Sequence, residues 1–333
     1  MGQEGEGTPV PEAYRPIDLT GVRTISLADR KSKLHLDELA KVCPSGGSLR
    51  SFLESLPHLL AAGDLLEVTR RISMAHRTER PVVIAMGAHF IKTGLTPILI
   101  HLMERGIISA VAMNGAGIIH DTEMAMIGHT SEDVDREIDT GNFGMAHETA
   151  MFINEATVRG VSQGLGLGES VGRAILEGKL PHTSVSLLAS AVRLNIPVTV
   201  HVAIGADIIH MHPSASGAAI GEGSLRDFRL FCAVIARLEG GVFLNMGSAV
   251  LLPEVFLKAL NVARNLGHSV SRFTTVNMDF IQHYRPQANV VRRPTQQGGK
   301  GFTLTGHHEI MVPLLCAAVL EEVAKPLGTP GPA

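Results

Sequence analysis

Two rhythms of apolar positions divide the chain. Over residues 34–77, Leu36, Leu39, Leu49, Phe52, Leu53, Leu56 and Leu59 return at helical spacing, which predicts amphipathic helix, with Ser48 placed to cap its second segment. From residue 81 the rhythm changes. Short β-branched runs at residues 81–86, 107–113, 196–204, 241–246 and 271–279 alternate with helical stretches. These runs are apolar on both faces, as strands are when helices cover both sides of a sheet. The pattern predicts an α/β fold: a parallel sheet with helical crossovers. The ends, residues 1–15 and 326–333, are rich in Gly and Pro and read as loose. The expected organisation is an extension over 1–33, one domain over 34–325 and a tail over 326–333.

Composition narrows this picture. The 333 residues are 45% hydrophobic and 18% charged, with a formal net charge of −3. Such a chain can bury a large core and is not disordered by composition. The near-balanced charge gives no electrostatic footing for nucleic acid or an anionic membrane. Cys43, Cys232 and Cys316 stand far apart, so neither a zinc knuckle nor a disulfide framework is expected, and a reducing compartment fits. The first residues lack an apolar leader, and no apolar run is long enough to span a bilayer. The expectation is a cytoplasmic protein.

In a parallel sheet, ligands sit at the carboxyl ends of the strands, so the polar residues just after each run carry the candidate chemistry. The first group is Gly87-Ala88-His89-Phe90-Ile91-Lys92-Thr93-Gly94. It opens a helix that Thr93 or the preceding turn could cap, with Pro97 in its first turn. Such a terminus suits a phosphate, or is simply an ordinary capped helix. The second is Asn114-Gly115-Ala116-Gly117-Ile118-Ile119-His120-Asp121, where small residues let a cofactor approach the backbone. The full dinucleotide fingerprint is absent, and a plain turn is the competing reading. The third is Ala206-Asp207-Ile208-Ile209-His210-Met211-His212. An aspartate in an apolar run needs a partner or a function, while His210 and His212 read as core histidines before metal ligands. Asn245-Met246-Gly247-Ser248 and Asn277-Met278-Asp279 follow. Last comes a Gly-rich loop over 284–301, Gly298-Gly299-Lys300-Gly301. It would let Lys300 reach a cleft, where burial frees an amine as nucleophile. Thr305-Gly306-His307-His308-Glu309 closes the series without a third spaced metal ligand.

Taken in order, these strand ends resemble the deoxyhypusine synthase family. The resemblance runs over residues 34–322. It rests on Ile91-Lys92-Thr93-Gly94, Asn114-Gly115-Ala116-Gly117 with Asp121, Ile196-Pro197-Val198, Ala206-Asp207-Ile208-Ile209 with His212, Gly240-Gly241-Val242, Gly299-Lys300 and Val312-Pro313-Leu314-Leu315. It implies a Rossmann-like fold and a homotetramer with active sites between subunits. It also implies an NAD-dependent oxidation of spermidine, an imine on a lysine, and transfer of the aminobutyl group to a lysine of a protein acceptor, or to an amine that yields homospermidine. On that resemblance Lys300 is the imine-forming lysine and Asp207 holds the substrate amine, and Asn245, His182 and Arg293 are further candidates on the substrate side. His89, Lys92, Thr93, Asn114, Gly115, Ala116, His120, Asp279 and His307 stand on the cofactor side.

Several positions depart from the family. Gly298 replaces a tryptophan, Arg292 and Arg293 replace an acidic approach to the lysine, Asn245 or Met246 stands for a histidine, an aspartate before Asp207 is missing, and His307 stands for another. A polyamine wants carboxylates and an aromatic face, whereas guanidinium groups suit a neutral or anionic small molecule. The expectation is therefore a deoxyhypusine synthase-like NAD enzyme with a substrate other than spermidine. An authentic deoxyhypusine or homospermidine synthase, a non-catalytic NAD-binding oligomer and a histidine-ligated metalloenzyme are the alternatives.

Overall fold

The computed structural model describes residues 14–326, so the loose ends expected over 1–13 and 327–333 lie outside the described residues. The chain divides into two compact units, Met1–Leu39 and Ala40–Ala333. In the first, short 3-10 turns at Leu27–Asp29 and Leu36–Glu38 punctuate an otherwise irregular segment, and its apolar side chains, Ile17, Leu19, Ile25 and Leu36 among them, are exposed.

The second unit begins with helices α1 (Leu49–Ser55) and α2 (Leu60–Arg77). Ser48 caps α1 as expected, its hydroxyl accepting the Ser51 N–H. The helix expected from residue 34 starts only here, because Pro44, Gly46 and Gly47 break the chain first and Pro57 separates the two helices.

There follow β1 (Val82–Met86), α3 (His89–Lys92), α4 (Thr96–Glu104), β2 (Ala110–Asn114), α5 (Gly115–Ile127), α6 (Val134–Glu137), α7 (His147–Ser162), α8 (Leu167–Gly178), α9 (Leu187–Arg193) and β3 (Val198–His201). Then come α10 (Gly217–Ile235), β4 (Val242–Met246), α11 (Leu251–Asn265), β5 (Thr274–Asp279), α12 (Tyr284–Pro286, running into a π-helical turn), β6 (Lys300–Thr305) and α13 (His308–Val323). All six strands are parallel, in the order β3-β2-β1-β4-β5-β6. This is the α/β class the pattern predicted, a single parallel sheet flanked by helices.

Side chains alternate across the sheet. Val82, Ile84 and Met86 of β1 face one core, which α2, α4, α5, α8 and α13 cover. Val83 and Ala85 face the other, with Phe243 of β4 and Phe231, Phe256 and Phe273. There Phe243 stacks on Phe256 with ring centroids 3.8 Å apart and planes within 6°. Truncating either ring would cost about 3–5 kcal/mol.

Five of the strands lie where the apolar runs predicted them, with ends shifted by up to three residues. The sixth was read as part of a loop. Only Phe302 and Leu304 of β6 are buried, so an edge strand of Gly, Thr and Lys carries almost no apolar signal.

The chain winds outward from β1 to β3, returns, and winds outward again from β4 to β6. The turns after β1 and β4 therefore diverge and leave a crevice at their carboxyl ends. Among the described residues, no helix is long and apolar enough to cross a membrane.

Candidate functional site

The crevice at that divergence measures about 410 Å³ and is walled by three turns: Gly87 to Lys92 after β1, Asn114 to His120 around the start of α5, and Gly247 to Leu251 after β4. Asn114 caps α5, its side-chain oxygen accepting the Gly117 N–H at 3.0 Å. The other first-turn N–H groups are those a helix leaves unpaired, at its positive end. Lys92 adds an ammonium.

A second cavity of about 660 Å³ adjoins the first and shares Lys92, Ala116 and His120 with it. The segment between α5 and α7 walls it with Glu132, Val134 and Phe143, and Glu123, Glu148, Asp207 and Ile208 are also in the lining. Four carboxylates thus face this space, against the ammonium of Lys92 and the imidazoles of His120 and His129.

Asp207 is the most constrained of the four. It is 8% exposed, and its Oδ2 has no hydrogen-bond partner among the described residues. Burial pushes its pKa up, while the charge of His210 opposes the shift. The carboxylate lies on the Cα of Gly115: a Cβ added there would stand 2.0 Å from Oδ2. Glycine at 115 is required by this close approach rather than by a turn.

Glu123 is held differently. Burial would raise its pKa, but hydrogen bonds from Thr130 and Thr149, with the His120 ring 3.7 Å away, together hold it below the usual carboxylate range. Thr149 donates to Oε1 at 3.1 Å. Thr130 donates to Oε2 and meets His120 Nδ1 at 2.7 Å.

The structure brings several of the sequence-predicted residues together. His89, Lys92, Asn114, Ala116 and His120 line the first crevice, and Gly115 seats Asp207. His307 is exposed and stacked on Phe280 with centroids 6.1 Å apart, and Phe280 in turn lies 6.4 Å from His89, but His307 lines neither cavity. Asp279 is buried at the end of β5, accepting the Phe280 N–H.

Other expected residues fall elsewhere. Thr93 bonds back to the His89 and Phe90 carbonyls and does not cap α4. Asn245 is fully buried and donates to Ser248 O and Asn277 Oδ1, so it braces the turn after β4 instead of facing a ligand. His182 stands at the far end of α5, against Gly128. Arg293 bonds Asn289 on the β5–β6 crossover, and Arg292 there is exposed. The expected guanidinium-lined pocket is therefore replaced by an acidic one.

Lys300 is the largest departure. It is the first residue of β6, pairs with Thr274 at the start of β5, and is exposed. Its ammonium lies 4.8 Å from the Phe302 ring centroid. In a parallel sheet the amino ends share one edge, so the length of β6, roughly 16 Å along the strand, separates Lys300 from the carboxyl edge. The neighbouring glycine does not free the lysine: a Cβ on Gly301 would stand 2.2 Å from Val291 O, so it packs the strand.

Glu123, Thr130, Glu132, Glu148 and Thr149 escaped the sequence reading. Only Glu123 left a signal, three residues beyond His120 on one helical face. Among the described residues, no three His, Cys, Asp or Glu side chains come together as a metal site. His212 instead pairs with His147, 3.3 Å apart.

No family model matches the sequence, and no curated protein matches it. Solved structures match in fold. A conserved protein assigned to LOR/SDH from Methanococcus maripaludis S2 superposes with a TM-score of 0.53 at 17% identity, over 79% of this chain and 69% of that one. AgrE in a ternary complex with ornithine and NAD+ superposes with a TM-score of 0.52 at 13% identity, over 77% of this chain and 33% of that one. This chain thus spans about a third of AgrE. A protein from Entamoeba histolytica assigned as a deoxyhypusine synthase reaches a TM-score of 0.49 at 11% identity, over 85% and 96% of the two chains, too slight a likeness to carry the family. At these identities the shared property is the fold.

Proposed function

We propose that this protein is an NAD-dependent enzyme that oxidises a small amine- or guanidine-bearing cation. The cofactor lies in the crevice between the β1 and β4 turns, and the substrate lies in the adjoining acidic cavity. The single observation that carries the reading is Asp207, a buried carboxylate without a partner, on the wall of a cavity that shares three residues with the switch-point crevice. An unpaired buried carboxylate is costly unless a ligand completes it, and a substrate cation does so.

The donors around the first crevice fit a dinucleotide. Lys92 and the first-turn N–H groups of α5 suit a pyrophosphate, with His89, Ala116 and His120 beside them. A nicotinamide bound there supplies a hydride acceptor. Asp207 and Glu148 bind and orient the cation, while Met126, Ile127 and Phe143 on the same walls pack its carbon chain. Excluding water from this space strengthens each ionic contact.

AgrE is solved in a ternary complex with ornithine and NAD+, and the shared fold makes that pair a first trial here. The acids in the cavity turn the reading away from a neutral or anionic substrate. An imine on Lys300 and a protein lysine acceptor form no part of it for a single chain. A homotetramer stays with the resemblance that suggested it.

The test is NAD+ reduction, followed by absorbance, across a panel of diamines, basic amino acids, guanidines and neutral or acidic analogues. The expected result is reduction with a cationic member alone, and a KM raised about 10–100-fold in Asp207→Asn, as for the loss of one charge-assisted contact. Turnover only with anionic compounds, or no binding of NAD+ at all, would overturn it.

A further inference from the structure

We infer that His120 is the base that takes a proton from the substrate ammonium, and that Thr130 and Glu123 fix it in the tautomer that can do so. This deepens the proposed function and rests on it.

The inference follows from counting protons around one hydroxyl. Glu123, held ionised by its hydrogen bonds, can only accept. Thr130 must therefore give its single hydroxyl proton to Glu123 Oε2. The Thr130 oxygen then has only lone pairs left for His120 Nδ1, 2.7 Å away, so Nδ1 carries the ring proton and donates. A neutral imidazole protonated at Nδ1 presents its lone pair on Nε2. Among the described residues no hydrogen bond reaches Nε2, and the His120 side chain, 12% exposed, lines both the crevice and the acidic cavity. It is the one imidazole common to the two.

A protonated amine cannot be oxidised at its α-carbon, because its nitrogen has no lone pair to form the C=N bond. The step assigned to His120 balances by itself: an N–H bond of the substrate ammonium breaks, an N–H bond forms on Nε2, and the ring becomes imidazolium. The amine then holds the free pair that oxidation requires. Ionised Glu123, 3.7 Å from Nδ1, stabilises that imidazolium. Glu123 and Thr130 act through His120 and are positioning residues.

The test does not wait on a substrate. Long-range proton–nitrogen NMR on histidine-labelled protein, with the His120 signals assigned by His120→Gln, reads the tautomer directly. The expected result is Nδ1–H in the wild type and in Thr130→Ser, which keeps the hydroxyl. A shift towards Nε2–H is expected in Thr130→Val and Glu123→Gln, whose folds are checked by the unmoved signals of the other histidines. An Nε2–H ring in the wild type, or a tautomer indifferent to both variants, would overturn the relay. NAD+ binding on the same samples separates the two claims: a failed relay with intact binding leaves the proposed function standing, and absent binding with the expected tautomer removes the proposed function instead. With the active amine, His120→Gln is expected to lower kcat by about 10²–10⁴-fold. Thr130→Val should lower kcat with KM for the amine held within about twofold, the split expected of a group that sets proton transfer and not binding. An unchanged kcat in His120→Gln would remove the base.

Discussion

The two edges of the sheet are built from similar residues and do opposite things with them. At the carboxyl edge polar groups are left open: Asp207 Oδ2 and His308 Nδ1 are buried without partners, and Lys92 lines a cavity without an ion-pair partner among the described residues. At the amino edge a small cleft of about 250 Å³ holds Arg70, Arg71 and Arg272, and every one of these is paired. Arg70 and Arg71 both hold Glu67, Arg71 also reaches Thr274, and Arg272 holds Glu239. Lys300 rests over Phe302. Charged groups that satisfy one another hold a fold together, whereas a charged group left unsatisfied on a cavity wall costs stability and is a candidate for completion by a ligand.

The largest effect that would sharpen this contrast is at Asp207. Asp207→Asn is expected to lower kcat/KM for the cationic substrate by about 100-fold, as when one member of a buried charge pair is removed. It should also raise thermal stability, since a desolvated charge is gone. Activity assays and melting curves on one preparation check both, and a variant that loses stability while keeping activity would break the contrast. Next is Lys92→Ala, expected to weaken NAD+ binding by about tenfold in calorimetry through loss of a phosphate contact.

The pH dependence of stability has a defined sign. Burial pushes Asp227 up to about 7 and Asp121 up to about 6, from 3.8, although both accept hydrogen bonds that work the other way. Asp227 accepts the Gly168 and Val200 N–H groups, and Asp121 caps α9 through Ser186, Leu187 and Leu188. Both carboxyls hold their protons more tightly folded than unfolded, so the native state gains stability as pH falls through 7 towards 5. Melting temperatures are expected to rise by a few degrees over that interval. Glu67 and Glu123, shifted the other way, reverse the trend below about 4.5. A melting temperature that falls steadily from pH 7 to 5 would contradict the burial of both aspartates. The smallest effect is at the amino edge, where Lys300→Ala should leave cofactor binding and turnover within about twofold of wild type. A large loss there would move the chemistry to the other edge, or to a contact between copies.

What could be read from the chain follows from the same contrast. The strands β1 to β5 are apolar on both faces and announced themselves, as did the turns beyond them. Asn114, Lys92 and Asp207 were legible because each lies at the carboxyl end of a strand or in the turn beyond it. Lys300 misled because Gly-Gly-Lys-Gly reads as a mobile loop, while the glycines pack an edge strand with only two buried side chains. The acidic cavity was invisible for another reason: Glu132 sits on the segment between α5 and α7 and Glu148 in the first turn of α7, and their position over Asp207 is set by packing across more than 50 residues of chain and leaves no periodic trace.

Hydrogen exchange followed by mass spectrometry, with and without NAD+, tests the placement of the cofactor most directly. The expected result is slowed exchange over residues 87–93, 114–120 and 247–251, with residues 270–274 and 298–302 unchanged. Protection confined to the latter two segments would contradict it.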